Sequence, residues 1–540
     1  MRKLLTRKRA RREAGVALII AIFALLLISV VAIALVVSAG TGSALQSNYR
    51  GSTGSYYSAL AGLEEARGRL LWKNPDYINA TNSYPALLNS QGLPTWGLTQ
   101  VFYIDNPGAG ENVDPTSTIP ENYPDSEYQN EFGWALAGTV VTQIASKSPD
   151  TAASPSLPGD QYKWVRITPV TEVSLGLDVN GDGDLDPLTL VYYDPSHVDA
   201  FSNPSPGLIV PSNPLNPPAT AVQALQITSL SVTPAGSRRI LQYVVAPLVI
   251  SPSTTGNAFP AALTLAGNGV TFQDAGGGPY KIDGRDTCSA STPPGSVASI
   301  GYINQPDYAS INAEVQKNPS NYPGYPMVLT PPPPGTYVPT SPSQSNLSNP
   351  PSQIRQNWLS PVTLDAVVQD IIKSADVIIN GNATGTDISN QASMMSATRP
   401  QTIVINGDLN LNGWHNSGYG LLLVTGTLNY DPDASWQGIV LVIGQGVFSS
   451  SKNGTGGIQG SVFVAKTRDG SGNLLTTPTL GAAFFGTLTS YGSNPGYGIR
   501  YSGCAGQSPT GPSAQGPLSY KVLSFREIPL TNLAEPGGHE

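Results

Sequence analysis

Val16 to Val37 is a run of 22 residues with one polar member, Ser29, and no charge. As a helix it spans roughly 33 Å at 1.5 Å per residue, enough to cross the hydrocarbon core of a bilayer. Seven Lys/Arg crowd the first twelve positions. Such a cluster stays cytoplasmic and leaves the body outside the inner membrane. A secretory signal has an apolar core of only about 7–15 residues. Val37-Ser38-Ala39 nonetheless has the small residues of a cleavage site, so a removed signal and a retained anchor both stay open. Past the run, Tyr56, Leu60, Leu63, Arg67 and Leu70 keep helical spacing, with Arg67 snorkelling, and Glu65 and Arg69 form an i,i+4 pair. Gly40, Gly42, Gly51 and Gly54 predict a loosened joint over 38–54, and Pro75 ends the helix.

The 540 residues allow two to four domains. Only 12% are charged, while Gly (57) and Pro (48) are abundant, which suits an exported β-rich chain with many turns. The net charge of −8 lacks the basic footprint of a nucleic-acid binder. Two cysteines, Cys288 and Cys504, predict one disulfide in an exported chain, the alternative being two buried thiols. Closing so long a loop is worth about 5 kcal/mol on chain entropy.

The basic leader ends in Glu13-Ala14-Gly15, and the apolar run begins directly at Val16. That junction resembles a type IV prepilin. Asn48, Tyr49 and Arg50, then Ala61, Gly62 and Glu64, stand where PilX-type minor pilins carry N-Y-R and A-G-x-E patterns. The resemblance covers roughly residues 13–72. It implies cleavage after Gly15 by a prepilin peptidase, methylation of Val16, and a helix kept for packing with other minor and major pilins. Major pilins carry a glutamate five residues into the mature helix. Here that position is Ile20. PilX-type pilins and the tip pseudopilin of type II secretion commonly lack it as well, which favours a minor, tip-proximal subunit.

From Trp134 onward strand patterns appear in "ALAGTVVTQIA", "YKWVRITPVTEV", "LTLVYYD", "ALQITSLSVTP" and "RRILQYVVAP". Their alternation predicts an antiparallel sheet. Between two of them, "DVNGDGDLD" (178–186) carries Asp178, Asn180, Asp182, Asp184 and Asp186. This D-x-N-x-D-G pattern is the first half of a calcium loop, in which alternating oxygens wrap one hard cation and Gly183 allows the turn. Position 12 is Thr189 rather than glutamate and the flanks read as strands, so it is no EF-hand. An acidic hairpin turn is the competing reading. The Pro-rich stretches 203–218 and 331–351 read as extended connectors.

In the C-terminal half, "TIVINGDLNLNG", "GLLLVTGTLNY" and "GIVLVIGQGVF" each run an apolar strand into a turn at Gly407, Gly426 and Gly444, and Ala465 continues the series. "ALTLAGNGV" (262–270) is a fifth copy. The rhythm predicts stacked rungs, a parallel β-helix or β-roll, with an ordinary sandwich as the alternative. One amphipathic helix is expected near 360–375, with Val362, Ala366, Val367, Ile371 and Ile372 on one face and Ser360 or Thr363 as cap. Trp414, Tyr419, Tyr430 and Trp436 either line a groove or pack inside the rungs. His197, His415 and His539 are scattered, and no nucleophile elbow, zinc motif or P-loop is present.

The fold class expected is α+β. A leader (1–15) precedes a pilin helix (16–75) whose transmembrane part is 16–37. A pilin-like antiparallel β domain (76–250) holds the calcium loop, and a large β-rich domain (251–540) follows. The function expected is pilus assembly and display of a large head, with adhesion to a tip adhesin or a surface, calcium as cofactor and no catalysis. Before assembly the subunit sits in the inner membrane; afterwards it lies on the pilus at the cell surface. The competing readings are an exported adhesin or polysaccharide-active protein, and a type II secretion tip pseudopilin.

Overall fold

The computed structural model describes residues 2–71, 74, 76–78, 88, 94–108, 110–132, 140–146, 162–186, 188–194, 207–211, 221–234, 236–248, 259–273, 280–286, 297–325, 340–348, 353–397, 399–431, 433–450, 456–487, 498–503 and 519–529. Side chains are described from Leu18 onward, 130–132 excepted. The N-terminal helix is one piece, Arg2–Arg69, of 68 residues. It runs straight through Gly40, Gly42, Gly51 and Gly54, so the expected joint over 38–54 does not form. A helical glycine costs about 1 kcal/mol against alanine but keeps its backbone hydrogen bond, and long flanks carry the helix across it. Ser29 Oγ turns back on Leu26 O at 2.7 Å, which satisfies the one hydroxyl in the apolar run. The helix ends before Pro75, which lies outside the described residues.

Only the last stretch of this helix is covered. Ala59, Leu63, Ala66 and Leu70 are fully buried, spaced at i, i+4, i+7 and i+11, with Tyr56 and Leu60 at their flank. They pack on Phe102, Ile104, Val165, Ile167, Leu225 and Ile227. Gly62 lies on this face, where a Cβ would come within 2.5 Å of Ser229 Oγ. Glu65 and Arg69 do pair, at 3.5 Å, while Arg67 meets Glu64 at 3.1 Å.

The receiving sheet has six strands in the order Val140–Ala145, Gln100–Asp105, Tyr162–Pro169, Leu225–Val232, Arg238–Leu248, Ser519–Ile528. All pairs are antiparallel except the first, which is parallel. Strand alternation gives it a second apolar face, where Val101, Tyr103, Trp164 and Ile240 meet Val113 and Tyr128. There Arg166 is fully buried; it pairs with Asp125 at 2.6 Å and with Glu127, and donates to Thr228 Oγ1 at 3.1 Å. Tyr103 OH donates to the same Asp125 at 2.9 Å. The last strand of the sheet comes from the far end of the chain, so the span 251–540 returns one strand to the sheet built by 76–250. A small sheet of Tyr192–Tyr193, Leu208–Ile209 and Val222–Gln223 stands beside it. Leu208–Ile209 belongs to the stretch expected to be a connector.

The remaining described strands all pair in parallel. From Gln401 to Thr487 the chain alternates between two sheets. Gln401–Asn406, Ser417–Val424, Ser435–Gly444 and Gly457–Lys466 stack in one; Leu409–Asn410, Thr427–Tyr430, Val447–Ser450 and Phe484–Thr487 stack in the other. Equivalent positions are Ile403, Leu422, Val440 and Val462. Gly444 pairs with Lys466, so the repeat after it runs one residue beyond the expected Ala465. The copy at 262–270 stacks next to the last of these, Val462 opposite Leu263, out of sequence order. The turns abut so closely that a Cβ on Gly407 would come within 2.4 Å of Gly381 O, and one on Gly426 within 2.2 Å of Asp408 Oδ1. Inside, Tyr430, Phe448, Phe485 and Phe272 form a column of stacked rings. Gln344–Asn346, within the second expected connector, pairs in parallel with Ala298–Tyr302. The amphipathic helix is Pro361–Ser374, capped by Ser360 Oγ accepting from Thr363 N. Its buried face is Leu364, Val368 and Ile371 flanked by Val367 and Ile372. Val362 and Ala366, expected on that face, are exposed because each stands two positions from Leu364, about 200° round a helix of 3.6 residues per turn. Trp414, Tyr430 and Trp436 are packed inside, with Trp436 Nε1 donating to Gly420 O at 3.0 Å; Tyr419 is partly exposed.

Candidate functional site

Two features have the shape of working parts. The first is the uncovered part of the N-terminal helix. Among the described residues it is the helix long and apolar enough to cross a membrane, and no residue of its most apolar stretch is buried. Ile20 lies within that stretch, 63% exposed. Gly15 and Val16 are helical in backbone, and their side chains lie outside the described residues.

The second is the loop 178–186. It leaves a one-turn helix, Glu172–Leu175, capped reciprocally by Thr171 and Ser174 and closed by Gly176 in the left-handed region. Asp178 holds the loop's shape: Oδ1 accepts from Gly181 N at 2.6 Å and Oδ2 from Gly183 N at 2.9 Å. Asn180 Oδ1 accepts from Asp182 N at 2.9 Å, and its amide donates to Asp182 Oδ2 at 2.7 Å. Gly181 and Gly183 take φ of 76° and 98°, which only glycine adopts without strain. Asp182, Asp184 and Asp186 each bring one carboxylate oxygen within 4.8 Å of the others. So three of the five expected ligands converge, and the other two brace the turn.

The crowding is electrostatic. The Asp182 carboxylate beside Asp184 raises the Asp184 pKa. The backbone N–H of Asp184, then the Asn180 amide, lowers that of Asp182. Beneath the loop, fully buried Glu172 accepts from Val179 N (2.8 Å) and Asn180 N (3.0 Å) through Oε1, and from Asp186 N (3.0 Å) through Oε2. Sequence reasoning missed this residue. Its signal was the acid in the first turn of a capped helix six positions before Asp178. The donor set is all oxygen, which fits a hard cation such as calcium and not a thiolate or imidazole metal.

A third grouping was also missed. His415 Nε2 stands 3.8 Å from both Asp431 Oδ2 and Asp433 Oδ2, on turns of neighbouring strands of the parallel stack. Buried Asp431 already accepts from Gly413 N at 2.6 Å and Asp433 N at 2.9 Å. His197 and His539 lie outside the described residues, as do Cys288 and Cys504. The described chain just before each cysteine is close: Lys281–Asp283 pairs with Gly498–Arg500, and Gly503 N donates to Asp286 Oδ1 at 3.0 Å.

No family model, curated protein or solved structure matches this chain.

Proposed function

We propose that the chain is an assembly subunit of the PilX-like minor pilin kind. Its leader is cut after Gly15, its apolar helix passes from the inner membrane into a filament, and its large head is displayed at or near the tip. The single observation that carries this reading is the division of labour along Arg2–Arg69. One part is apolar and wholly uncovered, and the other is seated on a sheet through Ala59, Leu63, Ala66 and Leu70. An anchor alone needs only the first part. Ile20, lacking a carboxylate that would need a partner in lipid, favours a subunit with no neighbour above it.

The two parallel sheets, entered alternately by successive strands, are read as a parallel β-helix carried by the pilin-like sheet. The loop 178–186 is assigned to calcium, with Asp182, Asp184 and Asp186 as ligands that the cation holds together against their repulsion. A Cys288–Cys504 disulfide would tie the chain where Asp286 and Gly503 already meet; peptide mapping without reductant that recovers both thiols removes this assignment.

The deciding experiment is mass spectrometry of the N-terminus of protein taken from its own membrane. A start at Val16, methylated, is the expected result. A start at Gly40, or an intact leader, replaces the pilin reading with an exported or simply anchored protein.

A further inference from the structure

A cleft of about 450 Å³ opens between the Pro361–Ser374 helix and the corner turns of the parallel stack. Its volume is that of a small-molecule site. The helix supplies an apolar wall, Val368 and Ile372, with exposed Gln369 at its edge. The turns supply Asn406 and Asp408 from one corner, Thr425 from the next and Gln445 from the one after, neighbouring strands of a sheet lying about 4.8 Å apart. Arg468 closes one side.

These polar groups are held before any ligand arrives. Asn406 Oδ1 accepts from Thr425 Oγ1 at 3.2 Å, and its amide donates to Asn380 Oδ1 at 3.3 Å. Gln445 Nε2 donates to Asp469 O at 2.7 Å, and Arg468 is fixed by Asp365 at 2.6 Å and Gly472 O at 2.9 Å. Asp408 Oδ1 accepts from Thr427 N at 2.7 Å. An amide has two N–H donors and a carboxylate has two oxygens, so each retains capacity on the open side. Groups already ordered lose little entropy on binding.

The chemistry of the occupant follows by elimination. Asp365 neutralises Arg468 and Asp408 adds a negative charge, which disfavours phosphate and other anions. A peptide strand has no ladder to join, because the corner backbones pair with each other: Gly426 N with Gly407 O at 2.9 Å, Thr425 N with Ile405 O at 3.0 Å, Gln445 N with Thr425 O at 2.9 Å. Asp408 is exposed, so water screens its charge and a cation gains little there; what fits best is a neutral molecule with one C–H face for Val368 and Ile372 and many hydroxyls that both donate and accept. We propose that this cleft binds a short neutral oligosaccharide.

The proposal names the chemistry a displayed head would hold, yet it stands independently of how the N-terminus is processed. The test uses the full chain in a detergent without a sugar headgroup, titrated calorimetrically with maltotriose, cellotriose and triacetylchitotriose. At least one is expected to bind saturably. Gln369→Trp, which fills the mouth from an exposed helix position, and Asn406→Ala should each weaken it tenfold or more with the unfolding temperature unchanged. Absence of saturable binding to all three, or binding indifferent to both substitutions, overturns the proposal, as does a cleft that takes inorganic phosphate or a peptide instead. A start at Val16 with no saccharide binding removes this inference alone; saccharide binding with a start at Gly40 removes the pilin reading alone.

Discussion

At Gly62 an added methyl would meet Ser229 Oγ at 2.5 Å, Val165 Cγ2 at 2.8 Å and Tyr162 Cγ at 2.9 Å. The helix lies against the sheet there at a distance that admits no side chain. Gly62→Ala should destabilise the helix–sheet junction by about 1–3 kcal/mol, read as a lower unfolding temperature of the full chain in detergent. Gly40→Ala, where nothing lies within 4 Å, is the matched control. Asp105 presents a different strain. Burial first, then the charge of Asp114, pushes its carboxyl from an ordinary 3.8 up to about 7, and its buried Oδ1 has no partner among the described residues. Folding therefore favours the protonated form. That contribution is fully present below about pH 4 and is lost as pH rises through about 7. Asp105→Asn should flatten the fall in stability between those limits and raise stability at pH 8, as equilibrium denaturation at a series of pH values would show.

At the scale of elements, Glu172 links a one-turn helix to the acidic loop it precedes. Glu172→Ala frees three backbone N–H groups under the loop while leaving Asp182, Asp184 and Asp186 in place. Calcium affinity, measured by calorimetry on the full chain, should drop at least tenfold, and binding by the parent should weaken on acidification as Asp184 takes up a proton. An unaltered heat of mixing with the parent at millimolar calcium removes the site. Much of this element structure was legible beforehand. Apolar runs ending at Gly407, Gly426 and Gly444 mark strands and corners because those corners leave no room for a Cβ. The acidic loop was legible from its alternating oxygens. The His415–Asp433 proximity was legible in principle, since 18 residues also separate the paired Ser417 and Ser435. Continuity of the long helix was not, because four glycines lower helix propensity locally and say nothing of how far the flanks propagate. Nor was the placing of 262–270 beside Gly457–Lys466, since a repeat marks a rung without its rank in the stack.

For the molecule as a whole, what the sequence order hides is that Ser519–Ile528 completes the first sheet. "SYKVLSFREI" alternates well enough to be a strand, but alternation does not name a partner. A chain ending at 518 should lose the edge of that sheet and the Lys521–Asp370 pair, 2.9 Å long, that joins it to the Pro361–Ser374 helix. Limited proteolysis is expected to cut the first sheet of such a chain while sparing the parallel stack, whose core does not depend on the last strand. The returning strand also decides how the molecule bears tension. Ser519 pairs with Leu248, so both tethers of the parallel region leave the first sheet at the same end of two adjacent strands. A pull on the parallel region draws those strands together as one ribbon along their own axes. The force falls on the Leu225–Val232 border as shear, shared by all of its hydrogen bonds at once rather than opening them one by one.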